Sequence, residues 1–502
     1  MIKKLISNTL SNYIMKAVTL LLNVIAIPFL LSSLGESGFG VLMFASAITG
    51  YFTFLEFGIA AGVTKYVAQY LQLNDYNKIH SIISTSLTFF FVIGFILGTV
   101  VILLTTSGSI ELFFDSLEYV GNYRNVFIAS GLVAIFSWPQ ILLNAVLRGA
   151  QEYVVMNWSI GIGRIIAVSL AVVCSLYFSK NLTLIFLAFN LDRVFITFWQ
   201  MLLVRKTFPA WRYRVLSFDS TVFKSMFSFS AWIMLGQIAV ILEYQSDQLL
   251  ILKFLGPAAI STYIVIFYLF RLTQQASGLT ASALMPLFSQ LSERLSKDDL
   301  HYALFKAVRY HNLAYVPVTL VILLLSKSFL NLWVGEEYVR YLWLIQLSLA
   351  FQLLWQSSAA FGEIYRGLGY SKKPGILALF IGVSNVLVSL WLVRSIGVEG
   401  VVLGTVIVGT IVTPFGVTWM VKDIGISPVA YFGNIIKVQG PLVLSSILFF
   451  FIENLLEDID SWIDLSIFGV LLWLYFQLVI FLFVLKQEEI FIIRTKIRKF
   501  VS

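Results

Sequence analysis

The sequence predicts an all-α integral membrane protein with about 14 transmembrane helices. Composition, apolar runs and charge distribution all favour this fold class. Hydrophobic residues make up 59% of the chain and charged residues only 12%, whereas a soluble domain carries about 25% charged residues. Long runs contain no Asp, Glu, Lys or Arg, among them Ala17–Gly35, Ile79–Ile110 and Leu465–Leu485. A helix of about 20 apolar residues crosses a bilayer, so the chain is expected to cross it many times.

The distribution of basic residues predicts the number and direction of the spans. When fourteen spans are threaded from a cytoplasmic N-terminus, most of the 34 Lys and Arg residues fall on the cytoplasmic side, as basic loops prefer. This threading predicts a multi-pass protein of the bacterial inner membrane with both termini in the cytoplasm. The predicted spans are 12–33, 39–62, 81–106, 125–147, 156–178, 182–204, 225–252, 260–285, 308–326, 341–365, 374–393, 399–421, 435–453 and 464–485.

Several functional classes are disfavoured by composition. The formal net charge of +8 points to membrane lipids rather than nucleic acid, because basic loops of a membrane protein face anionic headgroups. The single cysteine, Cys174, excludes an intrachain disulfide and a thiolate metal site. His80, His301 and His311 lie near predicted span ends, and we interpret them as interfacial residues. The sequence has no recognisable catalytic triad or phosphate-binding loop, so we expect neither an enzyme, a resident metal or cofactor, nor an ATP-driven pump.

The chain also repeats itself at nearly one offset. Three pairs of strings align at offsets of 221, 220 and 218 residues: Leu30–Gly35 with Leu250–Gly256, Gly58–Ala61 with Gly278–Ala281, and Leu147–Ala150 with Tyr365–Leu368. The repeat holds six spans, an even number, so both copies have the same orientation. We therefore predict a six-helix bundle over 1–215, a second over 216–430, and two additional helices with a basic cytoplasmic tail over 431–502. Paired bundles of this kind are typical of alternating access.

Ionisable residues inside predicted spans are the first candidates for function. A charge in the hydrocarbon core is costly, so each should face a partner or a water-filled cavity. Asp192 and Arg193 are adjacent and diverge by about 100° on a helix, so at least one needs a partner on another helix. Either an interhelical ion pair holds the bundle together, or Arg193 faces the cavity. The candidates are Glu56, Arg164, Asp192, Arg193, Glu243, Asp247 and Arg271.

Two carboxylates lie on one face of the seventh span. Glu243 and Asp247 are four residues apart, which places them on the same side of a helix. Neighbouring carboxylates repel each other, which suits a proton carrier or a cation site. The alternative is that Asp247 lies near the outer interface and is simply hydrated.

Polar residues at two further places could contact a sugar-bearing substrate. In the tenth span Gln352, Trp355 and Gln356 offer amides for hydroxyl groups and an indole face for a sugar ring, although Gln contacts can equally hold helices together. At the cytoplasmic ends of spans, the candidates for a gate are Arg148, Glu363 and Arg366. A simple helix end is the alternative for Arg148 and Arg366, since a glycine follows each.

Several short strings in the chain match the pattern of one transporter family. They are Pro28–Gly35, Gly38–Gly40, Phe54–Ile59, Asp247–Tyr263, Arg148–Gly149 and Arg366–Gly367. On these strings the chain resembles the Wzx-type polysaccharide flippases, which transport O-antigen and other repeat units. These flippases belong to the exporter superfamily that also contains MATE multidrug transporters and the lipid II flippase. Where family members usually have an Asp, this chain has Glu56.

The resemblance implies a MATE-like fold of twelve helices plus two. It also implies that an undecaprenyl-pyrophosphate-linked oligosaccharide is moved across the inner membrane for surface polysaccharide such as the O-antigen of lipopolysaccharide, with polysaccharide polymerase machinery as a further partner. Arg164, Arg193 and Arg271 are expected to contact pyrophosphate or acidic sugars, because guanidinium binds oxyanions with two hydrogen bonds. Coupling to a proton or sodium gradient would use Glu56, Asp192, Glu243 or Asp247.

Two alternatives remain open. A multidrug exporter coupled to cations should have a smaller, more apolar and acidic cavity. A membrane polymerase or ligase of polysaccharide is expected to need a substantial external loop with catalytic Arg or His, which the short predicted loops do not provide.

Overall fold

The structure is a computed structural model that describes residues 2–51, 58–109, 123–178, 181–211, 218–292, 295–370, 372–450, 459–485, 487 and 489. All regular elements in these ranges are helical. A 3-10 helix, Glu336–Tyr341, precedes α13, and a π-helix, Ile480–Val484, follows α16. The α-helices are α1 Ile2–Tyr51, α2 Ile59–Gln72, α3 Tyr76–Thr106, α4 Tyr123–Gly149, α5 Tyr153–Tyr177, α6 Leu182–Phe189, α7 Leu191–Thr207, α8 Ser220–Leu255, α9 Pro257–Ala281, α10 Leu284–Leu291, α11 Lys297–Leu324, α12 Ser326–Val334, α13 Leu342–Gly367, α14 Lys372–Asp423, α15 Pro428–Phe450 and α16 Trp462–Val479.

The helices account for the predicted spans. Within the described ranges, nine helical segments are long and apolar enough to cross a membrane. α14 holds two predicted spans, α1 holds one and the first part of a second, because it ends at Tyr51 within the predicted span 39–62, and α8, α9 and α13 cover the predicted spans that remain. The predicted all-α membrane fold is therefore confirmed.

Short polar side chains start several of these helices. Each accepts a hydrogen bond from a backbone N–H group of the first turn, which would otherwise have no partner in the helix. Asp75 thus caps α3 by accepting from the N–H group of Lys78 at 3.2 Å. The other helix starts capped in this way are those of α6, α8, α11 and α16, at Asn181, Asp219, Ser296 and Ser461.

Glycines interrupt the two longest helices between predicted spans. Gly35 in α1 has φ 67° and ψ 173°, and Gly397 in α14 has φ 68° and ψ −142°. Gly256, which ends α8, has φ 84° and ψ 179°. This backbone region is open essentially to glycine alone. These three residues therefore fix where one helical segment ends and the next begins.

One predicted span contains a break that the apolar pattern did not predict. The span at 182–204 consists of α6 and α7, which meet at Asn190. The Asn190 side-chain amide donates to Ser46 Oγ at 3.1 Å and to the carbonyl of Phe186 at 3.0 Å. Asparagine competes with the regular helical hydrogen bonds in this way.

The chain forms two compact units whose boundaries run through α9 and α14. Unit 1 comprises Met1–Tyr263 and Ala378–Val401, and unit 2 comprises Ile264–Leu377 and Val402–Ser502. In unit 1, α3 and α4 approach each other at Gly98 and Gly131, where a Cβ on either residue would collide with the carbonyl of the other. Small residues allow this close packing of membrane helices. The predicted bundle limits at 215 and 430 stay a prediction.

In unit 2, a buried ion pair attaches the end of the described chain to α11. The Arg309 guanidinium donates to Glu489 through Nε–Oε1 at 3.3 Å and Nη2–Oε2 at 2.9 Å, and it also donates to the carbonyl of Val484. Both charged side chains are 9% exposed. The expectation that the basic tail lies on the membrane concerns residues that are mostly outside the described part of the chain.

The aligned Arg-Gly strings occupy matching positions in the two units. A Cβ on Gly149 would lie 2.8 Å from the carbonyl oxygen of Thr64 in α2, and one on Gly367 would lie 2.5 Å from that of Met285 in α10. Each glycine thus lets the end of a span approach an earlier helix of its own unit. This recurrence supports the repeat inferred from the sequence.

Candidate functional site

A cluster of charged residues lies within unit 1 and is built around Arg164 of α5. Its guanidinium donates to Asn23 Oδ1 at 3.1 Å and to the carbonyl of Phe189 at 3.1 Å, and it forms an ion pair with Asp192 Oδ2 at 3.5 Å. Its Cζ also lies 4.3 Å from the centre of the Phe189 ring. Arg164 therefore joins α1, α6 and α7. The partner that adjacent Asp192 and Arg193 require on another helix is Arg164.

Arg193 stands beside this pair. Its backbone N–H donates to Asp192 Oδ1 at 2.9 Å, while its side chain is half-buried. Among the residues that the structure describes, the Arg193 guanidinium has no hydrogen bond or ion pair. Two guanidinium groups thus share one carboxylate, and the cluster carries a net positive charge. Removing charges from water is costly unless opposite charge is supplied, so the cluster is suited to an anion.

The break between α6 and α7 places backbone groups next to these charges. The carbonyl of Phe189 at the end of α6 accepts from Arg164, and Asp192 lies in the first turn of α7. A helix start within a span presents the positive end of its dipole. Transporters use discontinuous helices of this kind at binding sites for anionic groups.

Asp247, in α8, is fully buried. Its Oδ2 accepts a hydrogen bond from the hydroxyl of Tyr263 at 3.0 Å. The burial of Asp247 and its hydrogen bond with Tyr263 therefore contradict the alternative that this carboxylate is simply hydrated. Glu56 lies outside the described residues, as does the side chain of Glu243, so the predicted carboxylate pair stays a prediction.

The candidates of the tenth span lie within unit 2. Gln352 and Gln356 are buried, and Gln356 donates to Gln352 Oε1 at 2.6 Å, while Gln352 donates to the carbonyl of Phe270 at 3.3 Å. Trp355 packs on the rings of Phe270 and Phe351, with centroids 6.0 and 4.9 Å away. These contacts favour the alternative that the amides join helices.

Arg271 and the gate candidates have different surroundings. Arg271, in α9, is half-buried and has no hydrogen bond or ion pair within the described ranges. Arg148 is exposed at the end of α4. Glu363 and Arg366 form an ion pair of 2.6 Å within α13. Their predicted roles stay predictions.

A buried polar network in unit 2 was not predicted from the sequence. Its centre is the Gln439 amide nitrogen of α15, which lies 2.7 Å from Asn312 Oδ1, 3.0 Å from Ser357 Oγ and 2.6 Å from the carbonyl oxygen of Leu353 and can donate to two of them at a time. The hydroxyl of Tyr315 lies 3.3 Å from the same nitrogen. The available signal in the sequence is the presence of neutral amides within spans, which is weaker than that of ionisable residues because neutral amides cost less to bury.

His311 belongs to the same region. It is 3% exposed and lies well inside α11, which begins at Lys297 and not at the predicted span start of 308. Its interpretation as an interfacial residue stays a prediction. Nδ1 lies 2.8 Å from Thr280 Oγ1, and Nε2 lies 3.2 Å from both Ser277 Oγ and the carbonyl of Gln356. Across the described residues, no three His, Cys, Asp or Glu side chains come together as a metal site.

Comparison with known proteins gives a consistent set of matches. A family profile described as polysaccharide biosynthesis protein matches residues 5–292, more than half of the chain. The "Uncharacterized membrane protein EpsK" of Bacillus subtilis (strain 168) is 22% identical over 483 residues, which cover 94% of each chain. The "Putative O-antigen transporter" of Shigella flexneri is 23% identical over 345 residues, which cover 66% of this chain and 78% of that protein.

Solved structures share the fold. The lipid II flippase MurJ, in an inward closed conformation, superposes with a TM-score of 0.68 at 15% identity, over 94% of this chain and 98% of that one. An inward-facing MATE family multidrug transporter of the MOP superfamily gives a TM-score of 0.62 at 17% identity, over 81% of this chain and 94% of that one. These matches confirm the predicted MATE-like fold.

Proposed function

This chain belongs to the polysaccharide biosynthesis protein family, and we propose that it is a flippase for undecaprenyl-pyrophosphate-linked oligosaccharide repeat units. Like these relatives, it is a multi-pass membrane transporter and not an enzyme. The proposed substrate moves from the cytoplasmic to the outer leaflet of the bacterial inner membrane, with both termini of the chain in the cytoplasm. The polymerase machinery of surface polysaccharide would receive the product.

The observation that carries this proposal is the cluster of Arg164, Asp192 and Arg193. It has two guanidinium groups and one carboxylate, beside the start of α7 inside a span. Pyrophosphate and acidic sugars are oxyanions, and guanidinium binds oxyanions through two parallel hydrogen bonds. Arg193 is free, within the described residues, to make such contacts. Arg271 is proposed as a second contact, because it too is half-buried without an ion pair there.

Transport by alternating access requires that the substrate bind the inward and outward states with different affinity. We propose that a proton or sodium gradient drives transport toward the outer leaflet. The ion would bind at Glu56, Asp192, Glu243 or Asp247. A fully buried carboxylate such as that of Asp247 is a candidate for this coupling, because burying a carboxylate charge is costly unless partners compensate it. Substrate flipping in proteoliposomes should respond to one imposed gradient, and Asp247→Asn should remove that response.

The direct test is complementation of a strain that lacks this protein. That strain should lose surface glycan and accumulate lipid-linked oligosaccharide inside the cell. Arg193→Ala should restore normal protein level but little export, and Arg193→Lys should restore part of it, since lysine keeps the charge without the planar fork. Lys206→Ala is the matched control, because Lys206 lies exposed in the last turn of the same helix.

The outcomes separate the hypotheses. Unchanged surface glycan in the deletion strain, without an accumulated intermediate, contradicts the flippase proposal. Loss of the Arg193→Ala protein from the membrane supports a purely structural role for that residue.

A second candidate function is cation-coupled multidrug export, which the structural likeness to MATE transporters favours. Efflux of cationic dyes from cells that contain the protein, compared with cells of the deletion strain, distinguishes it. Dye efflux with unchanged glycan would support the exporter. Lost glycan without dye efflux would support the flippase.

A further inference from the structure

A second polar site lies in unit 1 and shares no residue with the Arg164 cluster. It is a cavity of about 470 Å³ where the α2–α3 turn meets the start of α8, within the range of roughly 300–1,000 Å³ that small ligands occupy. In the predicted topology both segments adjoin cytoplasmic loops. The side chains that the argument uses are Tyr66, Tyr70, Asn77, Lys78, Ser81 and Asp219.

One wall of the cavity is aromatic. Tyr66 and Tyr70 lie one turn apart on α2, with ring centroids 6.3 Å apart and planes inclined by 20°. The Tyr66 hydroxyl donates to the carbonyl of Ser225 in α8 at 3.4 Å, a long contact between the two helices. Both tyrosines line the cavity, and each has an apolar ring and a polar hydroxyl group. Such side chains suit a ligand that has both an apolar face and hydroxyl groups.

The opposite wall supplies hydrogen-bonding groups. Asp219 caps α8 through Oδ1, which accepts from the N–H groups of Thr221 at 2.9 Å and Val222 at 3.2 Å. Its Oδ2 faces Ser81 Oγ at 3.5 Å, a weak contact that a ligand hydroxyl can replace. Within the described ranges the Asn77 amide and the Tyr70 hydroxyl form no hydrogen bond. Donors and acceptors are therefore both available.

The charges around the cavity are balanced. Lys78 lies 3.4 Å from Asp75 and 4.8 Å from the centre of the Tyr70 ring. Lys65 lies 5.2 Å from the centre of the Tyr66 ring. The charged side chains that line the cavity are one carboxylate, Asp219, and one ammonium group, Lys78, so the site does not favour a phosphate, which Asp219 would repel. A neutral ligand rich in hydroxyl groups is favoured instead.

We propose that this cavity binds a neutral sugar ring of the lipid-linked oligosaccharide at the predicted cytoplasmic entrance, before the substrate reaches the arginine cluster. The ring would lie against Tyr66 and Tyr70, and its hydroxyls would bond to Asp219, Asn77 and Lys78. That the sugar ring belongs to a lipid-linked oligosaccharide rests on the flippase function proposed above. The binding of a sugar ring rests on the cavity alone.

Saturation-transfer NMR on the purified protein in detergent tests the binding step. The probes are the methyl glycosides of glucose, galactose and N-acetylglucosamine, with glucose 1-phosphate and dihexanoylphosphatidylglycerol as anionic comparisons. At least one neutral glycoside should bind, and Tyr70→Ala or Asn77→Ala should weaken that binding roughly tenfold, an effect of about 1.4 kcal/mol. Tyr76→Ala is the matched control, because Tyr76 is exposed in the same turn and does not line the cavity.

Three results overturn the site. They are no saturation transfer to any neutral glycoside, an equal loss in Tyr76→Ala, and binding of the anionic probes alone. Circular dichroism and size-exclusion profiles of the variants show whether a loss comes from misfolding, and Asp219→Asn gives a second folded variant, since asparagine also caps helices.

Export assays then separate this inference from the function on which it rests. Tyr70→Ala and Asn77→Ala should slow glycan export, whereas Arg193→Ala should abolish export and still bind the glycoside. Export that depends on the protein but is unaffected by Tyr70→Ala overturns the docking role alone. A deletion strain with unchanged glycan overturns the flippase function, whether or not glycosides bind.

Discussion

Gly35 and Gly256 adopt nearly the same backbone conformation, at positions 221 residues apart that the sequence repeat aligns. Their φ values are 67° and 84°, and their ψ values are 173° and 179°. Since this backbone region is essentially restricted to glycine, the two repeats share a backbone conformation as well as a similar sequence. Gly58 and Gly278 do not match in this way, because Gly58 has φ 67° before α2 while Gly278 lies within α9.

The first prediction concerns the strain at this conformation. Gly35→Ala should lower stability by about 1–3 kcal/mol, the usual cost of a residue held in a sparsely populated backbone region. A Cβ at Gly35 would meet no atom within 4 Å, so steric overlap contributes nothing. Gly375→Ala is the control, because its Cβ would also meet nothing and its helical backbone accepts alanine. Thermal unfolding in detergent measures both, and equal midpoints for the two variants contradict the prediction.

The second prediction concerns the carboxylate that Arg164 and Arg193 share. Asp192→Ala should destabilise the protein by about 3 kcal/mol, because it leaves the Arg164 guanidinium, whose side chain is 16% exposed, without its counter-charge. Adding Arg164→Met should recover part of this loss, since it removes that charge. Chemical unfolding of the two single variants and the double variant gives the coupling energy. Additive effects would show that the 3.5 Å contact contributes nothing.

The third prediction concerns Gln439 in the polar network of unit 2. Gln439→Ala should cost about 1–3 kcal/mol, because buried acceptors on α11 and α13 lose their donor. Ser445→Ala, further along the same helix, is the control. Among the described residues its hydroxyl bonds only to the carbonyl of Leu442 in the same helix, and the change should stay within about 0.5 kcal/mol. Unfolding measurements that rank the two variants equally would contradict the role of the amide.

The fourth prediction concerns pH and the helix cap at Asp219. Hydrogen bonds from the backbone N–H groups of Val222 and Thr221 hold the pKa of this carboxyl below its ordinary value of 3.8. A lowered pKa means that the cap stabilises the fold above pH 3.8 and loses this effect as the pH falls through the folded-state value. The stability difference between the protein and Asp219→Asn should be constant from pH 5 to 8 and shrink in more acidic buffer. A difference that changes near neutral pH would point to another group.

Sequence alone predicted the helical spans well, because an apolar run is a local property that needs no knowledge of its neighbours. The segment boundary at Gly35 could be placed for the same reason, since it lies between two such runs. The break at Asn190 could not be predicted, because it depends on a hydroxyl in α1, that of Ser46. A single asparagine within an apolar span carries too little signal to reveal that contact.

The candidate site was predicted in part. The charged residues Arg164, Asp192 and Arg193 stood out because charge inside a membrane is costly, but which of them pair depends on how α5 and α7 pack. The network around Gln439 and the burial of His311 were missed for a different reason. Neutral polar side chains are tolerated in membrane helices, so their presence does not predict where they point.

The ion pair between Arg309 and Glu489 imposes an order on biosynthesis. The two residues are 180 positions apart, and translation adds roughly 5–20 residues per second. Glu489 is therefore synthesised roughly 10–40 s after Arg309, and Arg309 has no counter-ion from this residue until then. During that interval water, lipid phosphates or the insertion machinery must accommodate the guanidinium. Truncated chains that end before Glu489 should be recognised as unfinished by the cell's quality control.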